Sequence, residues 1–167
     1  MSLPEYDQNG LPHRVPRKLK VRIPRGATDG QKLRLPGKGG KGINGGRDGD
    51  VYLDVVIAPH PLFRVSDHDI YLDLPLAPWE AVLGTTVRMP TPGGPVDIKV
   101  PAGTPAGRQL RLPGRGLPKP RGGAGDLFAI VQIAVPGTPS DRERELFRQL
   151  AAASSFNPRG HFEEDAK

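Results

Sequence analysis

Val21-Arg-Ile-Pro-Arg-Gly26, followed by Gly30-Gln-Lys-Leu-Arg-Leu-Pro-Gly-Lys-Gly39, is written again 77 residues later as Ile98-Lys-Val-Pro-Ala-Gly103 and Gly107-Arg-Gln-Leu-Arg-Leu-Pro-Gly-Arg-Gly116. Nine of the nineteen aligned positions are identical, where about one would match at ordinary residue frequencies. After a one-residue deletion the match resumes, with Gly49-Asp50-Val51-Tyr52-Leu53 lying on Gly125-Asp126-Leu127-Phe128-Ala129 and Ile57 on Ile133. The repeated unit therefore spans strand, turn, strand, glycine loop and strand. Two copies make tandem modules, since a longer array would need more repeats.

Each copy is written for β structure. Leu-Arg-Leu places two apolar side chains on a core face with an arginine between them, which makes Leu33, Leu35, Leu110 and Leu112 core residues first. Gly26 and Gly103, each two residues after a proline, are expected to hold a backbone angle that other residues resist. Arg17 to Ile23 alternates Leu19, Val21 and Ile23 with Lys18, Lys20 and Arg22, predicting a strand with one buried and one basic face. Residues 36 to 50 are rich in glycine and read as a loop, and Val51 to Ile57 is a β-branched strand ended by Pro59-His60-Pro61.

Outward from the repeat, Ile70 to Leu76 alternates apolar and other residues and predicts a further strand. Pro78 to Gly84, with proline at its start and glycine at its end, predicts one or two helical turns. Thr85 to Met89 and Val96 to Val100 form a hairpin around Thr91-Pro-Gly-Gly94. Ser140-Asp-Arg-Glu143 is a capping box opening a helix that carries Leu146, Phe147, Leu150 and Ala151 on one stripe. The fold class is mostly β: two tandem small β-sandwich-like modules, the first truncated, a short helix in the second and a C-terminal amphipathic helix. The expected divisions are residues 1–65, 66–139 and 140–167.

With 22 Gly, 20 Pro and 5% aromatics in 167 residues, long helices cannot fill the chain. No Cys is present, so there is no disulfide framework or thiolate metal site, and His13, His60, His68 and His161 are too scattered to be ligands. No apolar run reaches the about 18 to 20 residues that cross a bilayer, so no membrane partner is expected and the location reads as cytoplasmic, with nucleoid association in view. A net charge of +6 suits an anionic partner or a solvated basic surface. Gly37-Lys-Gly-Gly-Lys-Gly42 matches the dinucleotide G-x-G-x-x-G spacing, but Ile-Asn-Gly-Gly-Arg-Asp-Gly cannot open the helix that a pyrophosphate requires. With no carboxylate pair, nucleophile elbow or metal spacing, the sequence makes no case for an enzyme or a cofactor.

These motifs resemble the C-terminal region of the DnaJ co-chaperone family. There, paired β modules carry V-x-I-P-x-G…G-x-x-L-R-L-x-G-x-G and G-D-L/V, followed by H-P-x-F, here Val21 to Gly39, Gly49 to Leu53 and His60-Pro-Leu-Phe63, with Arg64 next. Asp69 to Gly84 looks like the opening of the second module, and Leu150 to Arg159 is similar to the curved-DNA-binding protein A branch. The resemblance covers about residues 15 to 159. It implies binding of unfolded or aggregation-prone polypeptides, delivery to a DnaK-type chaperone and a homodimer. It implies Phe63 as a client-pocket residue, with Leu53 and Val55 on the preceding strand, and Leu146, Phe147 and Leu150 as the dimer stripe. Core packing of Phe63 and intramolecular packing of the helix stripe are the alternatives. Lys18, Lys20, Arg22, Lys38, Lys41, Arg115, Lys119 and Arg121 would contact DNA phosphates or an acidic partner tail.

The departures are informative. Leu62 follows His60-Pro61 where the ATPase-stimulating triplet has Asp, the helical J-domain is not seen, and the zinc-binding cysteine repeats are absent, which points to the zinc-free class. The first module also has no counterpart of Ile70 to Met89, so it is expected to lack its opening half.

Overall fold

The computed structural model of the chain describes residues 2–6, 12–16, 18–42, 45–160 and 162. Arg17, Ile43 and Asn44, which fall in segments read above, lie outside the described residues, as do His161 and the tail from 163. The elements in order are β1 (Ser2–Tyr6), β2 (Pro12–Pro16), β3 (Lys32–Leu35), β4 (Val51–Asp54), β5 (Arg64–Ser66), β6 (Asp69–Leu76), α1 (Pro78–Leu83), β7 (Thr85–Met89), β8 (Val96–Val100), β9 (Gln109–Leu112), β10 (Leu127–Ile133) and α2 (Asp141–Ala153). The chain is mostly β, and it divides into two compact units, residues 1–133 and 134–167.

The first unit is organised on a four-stranded sheet of order β5-β6-β10-β9. β6 and β10 run parallel in register from Ile70↔Leu127 to Leu76↔Ile133, while β9 and β5 flank them antiparallel. The period-2 pattern of β6 sends Ile70, Leu72, Leu74 and Leu76 to one face, where they meet Leu127, Ala129 and Val131 of β10. Ala81 of α1, Met89 of β7 and Val100 of β8 complete this buried cluster. Removing a large aliphatic side chain of this kind from water stabilises by about 1.5–3 kcal/mol.

The short elements follow their local chemistry. α1 begins at Pro78 and ends at Gly84 with φ 79°, and the Ala77 N–H donates to Glu80 Oε2 at 2.8 Å. β7 and β8 pair from Thr85↔Val100 to Met89↔Val96, with the Gly94 N–H closing on the Thr91 carbonyl at 3.0 Å. In the second unit, α2 starts on the expected box: the Glu143 N–H donates to Ser140 Oγ at 3.3 Å and the Ser140 N–H to Glu143 Oε2 at 2.7 Å.

Both copies of the repeat build the same local frame. The Gly30 and Gly107 N–H groups donate to the Val55 and Val131 carbonyls at 2.9 and 2.8 Å. The Gly39 and Gly116 N–H groups donate to the Gly49 and Gly125 carbonyls at 2.7 and 2.8 Å. Gly26 and Gly103 sit at φ 81° and 71°, the left-handed region expected for them.

Two differences from expectation concern the first copy. Described residues 18–23 carry no strand assignment, although they alternate as a strand should. Their counterpart in the second copy includes β8, whose partner β7 supplies the ladder; without a described strand in that role, alternation alone does not make a strand. The strand expected over Val51 to Ile57 is assigned over Val51–Asp54, and beyond it the Val55 and Ile57 N–H groups bond to the Gln31 carbonyl and Asp29 Oδ1 at 2.9 and 2.7 Å. β1 and β2 form a hairpin that the sequence pattern did not announce.

Candidate client groove and basic segments

The repeat brings one carboxylate per copy to the same job. The Asp50 carboxylate accepts the Gly37 N–H at 2.9 Å and Arg34 Nε at 2.6 Å, and Asp126 accepts the Gly114 N–H at 2.8 Å and Arg111 Nε at 2.7 Å. The arginine of each Leu-Arg-Leu is thereby tied to the Asp of each Gly-Asp across the strand pair. The glycine N–H first, and the guanidinium second, hold both carboxyls below the usual carboxylate range. In the second copy the Asp126 N–H also donates to Asp69 Oδ1 at 2.7 Å, joining the latch to β6.

Between the two copies, within the first unit, lies a groove of about 640 Å³. Ile57, Phe63, Val65, Ile70, Pro92 and Leu117 make its apolar lining, with Thr28, Asp29, His60, Arg64 and Asp67 adding polar groups. The turn of Gly26 holds one side against the other: a Cβ at Gly26 would run into the backbone of Lys119 and Pro120. The His68 ring also lies 3.4 Å from the Gly26 carbonyl. The polar groups of the lining are largely engaged already. Arg64 makes a bidentate pair with Asp73 at 2.8 Å on each arm, and Asp29 holds the Ile57 N–H. An apolar guest thus meets little unpaired charge.

Phe63 is half-buried, lines the groove and also packs against the core cluster. Its ring stacks on His60 with centroids 4.7 Å apart. Leu53 and Val55 are half-buried on β4 and just beyond it, and they do not line the groove. Leu110 and Leu112 pack against the core as expected, and Leu33 and Leu35 are half-buried on β3. Ile57, Val65, Pro92 and Leu117 were missed by sequence reasoning, because packing of distant segments brings them together. Only His60, inside His-Pro-x-Phe, had a local signal.

Lys18, Lys20, Arg22, Lys38, Lys41, Arg115, Lys119 and Arg121 are all exposed, and none forms a salt bridge with a described carboxylate, although Lys119 helps to hold the Asp126 carboxyl low. They fall on three segments: the irregular stretch from residue 18, the first glycine loop and its counterpart after β9. The first and third segments meet where Gly26 abuts Lys119 and Pro120.

In the second unit, no residue of α2 is buried; Leu146, Phe147 and Leu150 are 47%, 36% and 63% exposed. Among the described residues there is no cluster of three metal-ligating side chains and no helix long and apolar enough to cross a membrane.

Comparison with known proteins agrees with this architecture. Residues 6–136 match the family described as DnaJ C terminal domain. The chain is 43% identical over 160 residues to a curved DNA-binding protein of Serratia proteamaculans, covering 95% of this chain and 52% of the relative. It is 46% identical over 160 residues to one of Salmonella arizonae, with the same coverage, and 45% identical over 143 residues to one of Coxiella burnetii, covering 86% and 45%. The chain thus spans about half the length of the curated relatives it matches. The duplicated strand, latch and glycine loop are the frame that this match covers, and the chain belongs to the DnaJ C-terminal domain family, a family of co-chaperones.

Proposed function

We propose that this chain binds extended apolar segments of unfolded or aggregation-prone polypeptides and, with the rest of a full-length protein, hands them to a DnaK-type chaperone. The observation that carries this is the apolar groove between the two repeat copies, with Phe63 in its wall. The work is binding, with no catalysis and no cofactor. Residues 1–65 and 66–139 would act as the two client-side modules and residues 140–167 as the dimerisation segment. The exposed stripe of Leu146, Phe147 and Leu150 on α2 supports homodimer formation.

The test is suppression of aggregation of a chemically denatured protein by the chain. Phe63→Asp places a charge in the apolar lining and should weaken binding of a fluorescent apolar peptide about 10-fold or more. Unchanged affinity with the fold retained would remove Phe63 from the site. Leu146→Asp with Phe147→Asp should convert a dimer to a monomer by light scattering.

DNA binding is a second function favoured by a specific observation. Eight exposed cations form no salt bridge with a described carboxylate, and the relatives carry the name curved DNA-binding protein. With cations on loops and no recognition helix among the described elements, contacts would be to phosphates. Duplex affinity should then fall steeply with salt, with a logarithmic slope of about −0.9 per phosphate neutralised. Absence of binding at low salt would remove DNA from the partners. A cytoplasmic or nucleoid location suits either partner.

A further inference from the structure

His60 is held by a bond that a single proton would break. Its Nδ1 accepts the Leu62 N–H at 3.1 Å, which an imidazole nitrogen does only without a hydrogen of its own. The neutral ring therefore carries its hydrogen on Nε2. The same ring lines the groove and stacks on Phe63, with centroids 4.7 Å apart and planes tilted by 26°. It ties the turn His60-Pro61-Leu62 to the aromatic wall that an apolar guest would meet.

The charges around His60 come from several elements. Asp29 stands in the turn before β3 with one carboxylate oxygen on the Ile57 N–H, and Asp67 occupies the β5–β6 turn at φ 52°. Both favour an imidazolium, and neither forms a salt bridge with His60. Arg64 of β5 is compensated by its bidentate pair with Asp73. On the side of Pro92 and Leu117 the lining is apolar; Arg115, which reaches Gly93, and Lys119, beside Gly26, lie outside it and oppose an imidazolium.

We propose that His60 makes the groove pH-sensitive: apolar guests bind while its imidazole is neutral and are rejected once it is protonated. This rests on the client-binding function. Protonation turns Nδ1 from acceptor to donor, so the Leu62 N–H loses its partner and a full charge stands against the Phe63 ring. In the free chain both changes cost little, because Leu62 is 51% exposed and water can take its N–H, while the exposed imidazolium keeps a cation–π contact with Phe63. A guest that covers the ring excludes this water and leaves a charge without a salt-bridge partner, which disfavours the complex. The effect falls on binding and spares the fold.

The experiment is calorimetric titration of the full chain with a capped leucine–serine peptide that has no titratable group, at about pH 7.5 and about pH 5.5, a range over which free imidazoles take up a proton. Affinity should fall about 5-fold or more at the lower pH, with far-UV circular dichroism unchanged. His60→Asn offers the Leu62 N–H a side-chain oxygen in an Asx turn and stays uncharged, so its affinity, whatever its level, should be the same at both pH values. His60→Lys is charged throughout and should bind more weakly than His60→Asn at both. In the wild type the Leu62 amide resonance should move with the midpoint of the His60 ring carbons. Equal wild-type affinity at the two pH values, an equal fall in His60→Asn, or a Leu62 midpoint unrelated to His60 overturns the proposal and leaves client binding standing. A folded chain that binds the peptide at neither pH removes client binding and the proposal with it.

Discussion

Val55 and Val131 are the same residue at the same step of the repeat, and each makes the same pair of backbone hydrogen bonds across its hairpin. Val131 is fully buried, whereas Val55 is half-exposed to its surroundings. Of the shared alternating positions, Leu127 and Ala129 are also 0% exposed, while Leu53 stays half-buried and Val51 alone reaches the buried class at 7%. The two hairpins carry the same latch of arginine, aspartate and glycine N–H. What separates them is β6, together with the α1, β7 and β8 side chains that cover the same face. A strand's own sequence sets its pairing and its sidedness. Its burial is set by the number of neighbours that cover that side, which here differs between otherwise matching copies.

The largest expected effect follows from that difference. Val131→Ala should cost about 2 kcal/mol, because two methyl groups leave a packed site that cannot collapse. Val55→Ala should cost less than about 1 kcal/mol, since its site is already open. Urea denaturation of both variants checks this, and equal losses would break the contrast.

The turn glycines come next. Gly103→Ala should cost about 1 kcal/mol, the ordinary penalty for a side chain in the left-handed region with open space around it. Gly26→Ala should cost more, because the new Cβ also meets the backbone of Lys119 and Pro120. Thermal melts of the pair measure how much of the contact between copies depends on that turn. A similar loss in both would show that the Gly26 contact yields easily.

The smallest effect concerns the two latches. Asp50 and Asp126 both titrate below their ordinary range in the folded chain. Their contribution is therefore complete above the unfolded carboxylate pKa of about 3.9 and is lost as pH falls through the lower folded values. Asp50→Asn and Asp126→Asn should each flatten the fall in melting temperature below about pH 4 and leave the profile from pH 5 to 8 parallel to wild type.

Much of the second module was readable from local chemistry. The alternation of Ile70 to Leu76, the proline and glycine bracketing α1, the Thr91-Pro-Gly-Gly94 turn and the box at Ser140 each specify a backbone conformation within a few residues. The same logic over Arg17 to Ile23 predicted a strand that the described residues do not form, because a ladder needs a partner and no local pattern reveals whether one is there. The candidate site divides similarly. Phe63 came from a motif, and its neighbour His60 lay within that motif, but Pro92 and Leu117 reach the groove through packing of segments far apart in the chain.

By itself, the sequence determined the duplicated hairpin, its left-handed glycines, its sidedness and the apolar stripe of α2, since each depends on interactions within a few residues or between adjacent strands. The absence of a first-copy counterpart to Ile70 to Met89 was also legible there, whereas the tertiary structure alone decided that a groove would open between the copies and which side chains would line it. Those outcomes depend on which distant segment lies alongside, and two copies with nearly the same local code can differ in that completely.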